Sequence, residues 1–310
     1  MVAVRAPSSP GTARRRLTLV ERLDAYERLM RLDKPIGTLL LLWPTLCALW
    51  FAAGGRPRGS LVLIFVVGTL VTRSAGCAMN DWADRDYDGH VARTAKRPLA
   101  TREIAPWEAL VVAAVGGFLA FLLVLFTNRA TMLWSIPAIA IAIAYPFVKR
   151  VFALPQAFLG IAFSFGIPMA YAAVLNRVPA IAWAYLAVNL FWVVAYDTEY
   201  AMVDRADDAK IGIRTSALTF ARYDVLAVAI CYLVYLAGMA WLGRFYGQGV
   251  VYYGALAIAA AQAVWQVWVI RTRDPAACFR AFLGNHWFGM TVFVGIVADD
   301  GLRGRWPIHW

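Results

Sequence analysis

Hydrophobic residues along this chain gather in long uninterrupted runs, unlike the alternating or 3.6-residue patterns of a soluble domain. Nine such runs are separated by polar turns, and each has the roughly 20 residues needed to cross a bilayer as an α-helix. The pattern therefore predicts an all-α polytopic membrane protein with nine transmembrane helices. The predicted spans cover residues 36–54, 61–80, 107–126, 130–148, 155–175, 181–198, 218–243, 250–270 and 279–298.

Two of the polar connections are longer than the others, and each begins with a group of aspartates. If the helix continues beyond span 2, the aspartates of the first group recur at i, i+3 and i+7, on one stripe. The second group follows span 6 with matched spacing, 116 residues further along the chain. The first group is Asp81, Asp84 and Asp88, and the second is Asp197, Tyr200, Asp204 and Asp208.

The repetition of this acidic spacing changes its interpretation. A single acidic group is more typical of a solvated loop without a ligand. Here the two stretches hold nine of the 19 acidic residues of a very apolar chain, which chance explains poorly. Carboxylates on one stripe repel each other unless a cation lies between them, and Mg²⁺ takes oxygen ligands and shares its shell with phosphate oxygens. The sequence therefore predicts a two-sided site for Mg²⁺ and a diphosphate.

Composition supports the membrane assignment. Hydrophobic residues make up 61% of the 310 residues and charged residues only 16%, below the roughly 25% of soluble domains. The net charge of +11 is spread over the loops between spans, which favours contact with membrane lipid and not with nucleic acid. The four cysteines stand singly without metal-ligand spacing, which is typical of packing residues.

The N-terminal residues differ from the rest of the chain. Residues 1–19 are basic and rich in Pro, Ser and Gly, which predicts a disordered tail before a single transmembrane domain of residues 20–310. No apolar segment of a secretory signal follows, whereas a mitochondrial transit peptide is an alternative to a cytoplasmic tail. Residues 20–32 mix apolar and charged positions as a helix lying on the membrane surface does.

The distribution of Lys and Arg predicts the orientation. The side with the N-terminus and both acidic groups carries 22 of these cations, the opposite side seven, and Arg73 lies within a span. By the positive-inside rule, the acidic groups face the cytoplasm, most simply across a bacterial inner membrane. Asp299 and Asp300 belong to the opposite side and are not predicted to be site residues.

Arg73 stands out among the basic residues. It lies about two turns before Asn80 on a similar helical face, within the second span. Charged residues at that depth usually face a cavity or a partner, so a pocket role is favoured over contact with lipid. An anion is the expected partner, and the predicted diphosphate is one candidate. Arg93, Lys96, Arg205, Lys210 and Arg214 lie near the acidic groups, where each is individually more typical of a positive-inside residue.

At these residues the sequence resembles the UbiA family of intramembrane aromatic prenyltransferases. The NDxxDxxxD motif of that family corresponds to residues 80–88, and its second Asp-rich motif to residues 197–208. Three stretches, which begin at Arg31, Asp88 and Tyr196, are similar to the branch of the family that acts on 4-hydroxybenzoate. The resemblance covers about residues 28–300, and both motifs match without a departure.

The resemblance implies nine helices around a central cavity and a Mg²⁺-dependent reaction. A polyprenyl group passes from polyprenyl diphosphate to the ring carbon ortho to the hydroxyl of 4-hydroxybenzoate, an early membrane step of ubiquinone biosynthesis. The implied metal ligands and catalytic residues are Asp81, Asp84, Asp88, Asp197, Asp204 and Asp208. The implied substrate contacts are Asn80, Arg97, Tyr145, Lys149, Tyr200 and Lys34.

Two alternatives remain at this point. Relatives that use homogentisate, dihydroxynaphthoate or haem share the metal motifs, so only the branch-specific stretches favour 4-hydroxybenzoate. A membrane transporter is the alternative outside enzymes, since transporters also carry internal repeats and ionisable residues. The two acidic groups are separated by four spans, an even number, so both lie on one side of the membrane. That arrangement favours an enzyme.

Overall fold

The computed structural model describes residues 17–91, 93–148, 154–212 and 214–304, and in these ranges the chain forms helices joined by turns. Two short 3₁₀ turns accompany the α-helices, at Asp88–His90 and Ala221–Tyr223. The α-helices are α1 (Leu19–Met30), α2 (Ile36–Ala52), α3 (Gly59–Asp84), α4 (Pro106–Leu125), α5 (Arg129–Val148), α6 (Pro155–Ser164), α7 (Gly166–Leu175), α8 (Ala180–Ile211), α9 (Ser216–Phe220), α10 (Asp224–Phe245), α11 (Val250–Ile270) and α12 (Pro275–Leu302).

The nine predicted spans are confirmed as helical segments. Eight segments of the described chain are long and apolar enough to cross a membrane, and α2 is a ninth apolar helix of 17 residues. Two of the eight are interrupted. One consists of α6 and α7, which meet at Phe165, and another of α9 and α10, which are joined by a 3₁₀ turn. The protein is therefore an all-α polytopic membrane protein.

The spans form a ring in chain order. Each of α2, α3, α4, α5, the α6–α7 segment, α8, α10, α11 and α12 packs against the next, and α12 returns to α2. Further contacts of α2 with α7, and of α8 with α12, cross the bundle. Close helix approach depends on glycine at two points. A Cβ on Gly166 would lie 2.3 Å from Thr45 Oγ1 of α2, and one on Gly289 would lie 2.5 Å from the Trp192 ring of α8. Small residues permit such approaches between membrane helices.

The helices that carry the acidic groups extend beyond their predicted ends. Helix α8 continues through the second acidic group to Ile211 and ends at Gly212, which adopts the left-handed conformation with φ 72°. Helix α3 ends at Asp84, so the stripe predicted for the first group is interrupted there. Asp88 lies in the following 3₁₀ turn instead, and Gly89 at its centre makes a continued α-helix unfavourable.

Two hydrophobic clusters hold the described residues together. The main core joins α2 and α3 with helices α6 to α12. A smaller cluster, here named the α1 cluster, joins α1 to the end of α3, the loop after it and the start of α4. Its buried members are Ala25, Leu29, Ala78, Leu99, Ile104, Ala109 and Ala113.

The N-terminal prediction is only partly within the described range. Most of the predicted tail of residues 1–19 lies outside the described residues. Thr18 caps α1, because its side chain accepts a hydrogen bond from the Glu21 amide and the Glu21 carboxylate accepts one from the Thr18 amide. The predicted surface helix is therefore a helix, and it packs against the protein through the α1 cluster.

Candidate functional site

The first acidic group lies where α3 ends, and arginines from two other segments cover it. Asp81 is 1% exposed. Nη2 of Arg31 donates to both of its carboxylate oxygens at 2.9 Å. Nη1 of Arg97 lies 3.0 Å from Oδ1 of Asp81. Asp81 is thus a buried carboxylate held by two guanidinium groups, one from the end of α1 and one from the loop after α3.

Arg97 also links the two ends of the first group. Its Nη1 donates to the carboxylate oxygens of Asp88 at 2.9 and 3.0 Å. Burial raises the pKa of Asp88, an effect that Arg97 partly offsets and the negative charge of Asp81 reinforces. Between these acids, Nδ2 of Asn80 donates to Asp84 at 3.0 Å. A buried carboxylate close to others of the same charge favours a bound cation.

The second acidic group lies on the last turns of α8 and is bound by the loop that follows the first group. Nη2 of Arg93 donates to Oδ2 of Asp204 at 2.6 Å, and its Nε donates to both oxygens of that carboxylate. The same guanidinium donates to the Tyr200 hydroxyl and lies over the Tyr200 ring at 4.4 Å. Asp208 is buried one turn further along. Arg93 therefore joins the loop after the first acidic group to the second group, and it also interacts electrostatically with Asp88.

A tyrosine of α5 provides a second connection between the groups. Tyr145 is close enough to interact electrostatically with Asp197 of the second group and Asp84 of the first. Tyr145 thus lies near both acidic groups. We call the two groups together the acidic basin; its members are Asp81, Asp84, Asp88, Asp197, Asp204 and Asp208.

Below the acidic basin, Arg73 lies inside the ring of helices. Its Nε is buried without a hydrogen-bond partner, and its guanidinium lies 5.7 Å from the centre of the Phe163 ring. A Cβ on Gly37 of α2 would lie 2.6 Å from that Nε, so only glycine leaves room for it. The hydroxyl of Tyr196 is also buried without a partner, and it interacts electrostatically with Arg73 and Tyr145.

Some predicted residues lie elsewhere. The side chain of Lys34 is 71% exposed and its amine lies 3.8 Å from Asp33, so it does not reach the acidic basin in this structure. The physical reason is its place in the turn between α1 and α2, where the amine is solvated. Lys149 lies outside the described residues. Glu199, an acid of the second stretch, turns into the bundle, where it accepts hydrogen bonds from Tyr232 and Asn285.

Among the basic residues near α8, two bind acids other than the basin members. Arg205 donates to Asp224 of α10 at 2.7 Å, and Lys210 donates to Asp207 at 3.1 Å. Arg31 and Tyr196, by contrast, belong to the site although neither was predicted to do so. A signal for Arg31 was its place three residues before Lys34, in a stretch already identified by resemblance. No pattern marks Tyr196 apart from its position next to Asp197.

The donor atoms of the acidic basin fit a hard divalent cation such as Mg²⁺, which prefers carboxylate oxygens. Within the described ranges, no three His, Cys, Asp or Glu side chains converge closely enough to hold a metal ion. In this structure three arginines bind Asp81, Asp88 and Asp204 instead. Guanidinium groups are also well suited to bind diphosphate oxygens.

The UbiA prenyltransferase family matches residues 41–289. A protein of Azoarcus sp. named 4-hydroxybenzoate octaprenyltransferase is 56% identical, over 91% of this chain and 99% of its own. One of the same name from Ralstonia nicotianae is 58% identical, over 91% and 97%.

Solved structures share the fold. The apo structure of a UbiA homolog from Aeropyrum pernix K1 has a TM-score of 0.74 at 25% identity, and the match covers 85% of this chain and 98% of that one. A UbiA homolog from Archaeoglobus fulgidus bound to GPP and Mg²⁺ has a TM-score of 0.66. Its identity is 16%, with 88% and 99% covered, and this likeness concerns the fold alone.

Proposed function

Because this chain belongs to the UbiA prenyltransferase family, we propose that it transfers a polyprenyl group from polyprenyl diphosphate to 4-hydroxybenzoate. The new bond forms at the ring carbon ortho to the hydroxyl, as in an early membrane step of ubiquinone biosynthesis. The observation that carries this proposal is the acidic basin, in which arginines bind carboxylates of both aspartate groups. The names of the relatives favour an octaprenyl donor.

The basin residues divide into two roles. The six aspartates and Asn80 would hold Mg²⁺, which supplies positive charge to the diphosphate leaving group. Arg93 and Arg97, each already bonded to a carboxylate, would also bind diphosphate oxygens. Tyr145 and Tyr200 flank the same position. Lys149 and Lys34 remain proposed diphosphate contacts on the resemblance of their sequence.

Arg73 is the proposed partner of the acceptor carboxylate. Its buried and unpartnered Nε gives a donor without an acceptor, a condition that costs free energy unless a ligand supplies one. The Tyr196 hydroxyl nearby is a second unpartnered group for a polar aromatic substrate. The arginines of the loop after α3 already serve the basin, which leaves Arg73 for the carboxylate of 4-hydroxybenzoate.

The apolar ring of helices completes the chemistry. As the allylic C–O bond breaks, the electron-rich ring carbon attacks the allylic carbon, and the ring then loses a proton to restore aromaticity. The surrounding apolar side chains exclude water, which would otherwise hydrolyse the reactive donor. The polyprenyl tail extends among apolar helices in contact with lipid. The excess of Lys and Arg beside the basin supports a cytoplasm-facing site in a bacterial inner membrane.

A transfer assay tests the proposal. Purified protein in lipid is incubated with octaprenyl diphosphate, 4-hydroxybenzoate and Mg²⁺, and the prenylated product is identified by mass spectrometry. We expect product formation that stops in EDTA and returns when Mg²⁺ is restored. Full activity in EDTA would contradict the metal role. Transfer only to homogentisate or dihydroxynaphthoate would contradict the acceptor.

A further inference from the structure

Arg31, at the end of α1, connects that helix to the acidic basin. Arg31 adopts the left-handed conformation, with φ 57° and ψ 31°, which residues other than glycine seldom adopt. In this position its amide donates back to Arg28 O at 3.3 Å. The side chain leaves the helix axis and its Nη2 reaches both oxygens of Asp81.

Helix α1 is fixed so that Arg31 is held at this place. Ala25 and Leu29 are fully buried in the α1 cluster. The Tyr26 hydroxyl donates to Glu108 of α4 at 2.5 Å, and Arg28 pairs with Glu103 of the loop before α4. The α1 cluster also contains residues of the loop that carries Arg93 and Arg97. Helix α1 and this loop therefore form one packed unit above the basin.

Arg31 and a divalent metal ion need the same oxygens. Asp81 is 1% exposed and both of its carboxylate oxygens lie 2.9 Å from Nη2 of Arg31. A metal ion coordinates a carboxylate oxygen directly, and the positive charge of the guanidinium repels a second cation placed at the same group. Arg97 also lies beside Asp81, but it differs from Arg31 because it binds Asp88 as well. If a metal ion binds Asp81, Arg97 therefore keeps a carboxylate partner.

We propose that the Arg31 guanidinium and a divalent metal ion compete for the carboxylate of Asp81, so that metal binding displaces Arg31. The inference rests on the proposed function, since it takes the acidic basin as a metal site. Helix α1 then serves as a latch: through Arg31 it neutralises Asp81, and it loses that contact when a metal ion binds.

Metal binding without substrates tests this latch. The protein in lipid nanodiscs is titrated with Mn²⁺, a probe for Mg²⁺, and free Mn²⁺ is measured by electron paramagnetic resonance. Arg31→Met removes the competing cation, so we expect Mn²⁺ to bind about tenfold more tightly than to the wild type, the range of one charge-assisted hydrogen bond. Arg31→Gln is a second variant with the same expected direction, should the methionine variant fold poorly.

Arg28→Met is the matched control. It removes an arginine one turn earlier on α1 that binds Asp24 and Glu103 and touches no basin residue. We expect its Mn²⁺ affinity to equal that of the wild type, because the buried Ala25 and Leu29 still hold α1 in place without the Arg28–Glu103 pair. Equal tightening in Arg28→Met would overturn the assignment to Arg31, and so would unchanged or weaker binding in both Arg31 variants. If neither the wild type nor the variants bind Mn²⁺, the metal site of the proposed function fails first.

Hydrogen exchange in the wild type gives a test that needs no variant. If metal releases Arg31, the turn that follows α1 loses its tie to Asp81. We expect the amides of Arg31 and Leu32, which donate to Arg28 O and Glu27 O, to exchange faster with Mn²⁺ than without it. Slower or unchanged exchange at these two amides would overturn the proposal.

Discussion

Aspartates at the two ends of the bundle have partners of different kinds. In the acidic basin, Asp81 and Asp204 are bound by the side chains of Arg31 and Arg93, which come from other segments of the chain. At the opposite end, Asp299 on α12 accepts hydrogen bonds from the Gly249 amide at 2.7 Å and the Tyr252 amide at 3.4 Å. A long cationic side chain can exchange one anionic partner for another. The backbone amides at the start of α11 cannot move away from Asp299 as a long side chain could. The carboxylate of Asp299 is therefore structural.

The position of Asp299 sharpens this contrast. The carboxylate is 2% exposed and pairs with Arg303 one turn later on the same helix. It caps the first turn of α11, where free N–H groups need an acceptor. Beside it, Asp300 accepts from Gln248 at 3.2 Å and packs under Gly55. Both acids lie at the end of the bundle opposite the basin, and both are buried and not solvated as residues on an outer surface would be.

The largest expected effect comes from removing one aspartate of each acidic group. Asp84→Ala and Asp204→Ala should each lower turnover by about 10²–10³-fold or more, because a ligand that stabilises the leaving group is lost. Thermal unfolding should change little, since their partners are side chains near the surface of the bundle. Initial rates at saturating substrates and unfolding curves measure the two effects. Near wild-type turnover in either variant would remove that aspartate from the site.

Arg73 gives a smaller and more selective effect. Arg73→Met should raise the KM for 4-hydroxybenzoate by about 10- to 150-fold, the value of one charge-assisted hydrogen bond. The KM for the prenyl diphosphate should stay near the wild-type value. Steady-state kinetics with each substrate varied in turn measure both constants.

Two further variants control the Arg73 result. Arg85→Met removes an arginine after the end of α3 that packs on Trp82 and lies 3.7 Å from Asp86, and both KM values should be unchanged. Gly37→Ala places a Cβ 2.6 Å from Nε of Arg73 and should displace it, so it should act in the direction of Arg73→Met. A rise in the diphosphate KM instead would assign Arg73 to the other substrate.

The fold could be predicted because its signal is local. Runs of about 20 apolar residues mark membrane spans without knowledge of any contact, and all nine were placed. The predicted ends of the helices were less accurate where a helix continues past its apolar region. Helix α8 extends 13 residues beyond its predicted end at residue 198, because good helix-forming residues follow until Gly212. Asp88 does not lie on the predicted helical stripe, because α3 ends four residues before it.

Only those site residues that recur at short spacing within one segment of the chain could be predicted. The acidic groups were visible because each repeats within one helix or turn. Their partners were not, since Arg31 is 50 residues from Asp81 and Arg93 is 111 residues from Asp204. Packing of the α1 cluster decides these pairs, and no periodicity in the sequence encodes it. Lys34 is the opposite case. The family resemblance implied that it contacts the substrate, but its position in a solvated turn leaves its side chain exposed.

The smallest expected effect on catalysis comes from the opposite end of the bundle. Asp299→Ala should leave kcat and both KM values of the folded protein unchanged, because this carboxylate contacts no basin residue in the described structure. It should instead destabilise the fold by about 1–3 kcal/mol, since the Gly249 amide loses its acceptor and Arg303 its partner. Asp299→Asn keeps an acceptor for the amide, so it should lose less stability than Asp299→Ala. Unfolding of the two variants and the wild type in the same lipid measures that order. If well-folded Asp299→Ala lost as much turnover as Asp84→Ala, the distinction between exchangeable and structural carboxylates would be wrong. The assignment of the site to the acidic basin would then be wrong as well.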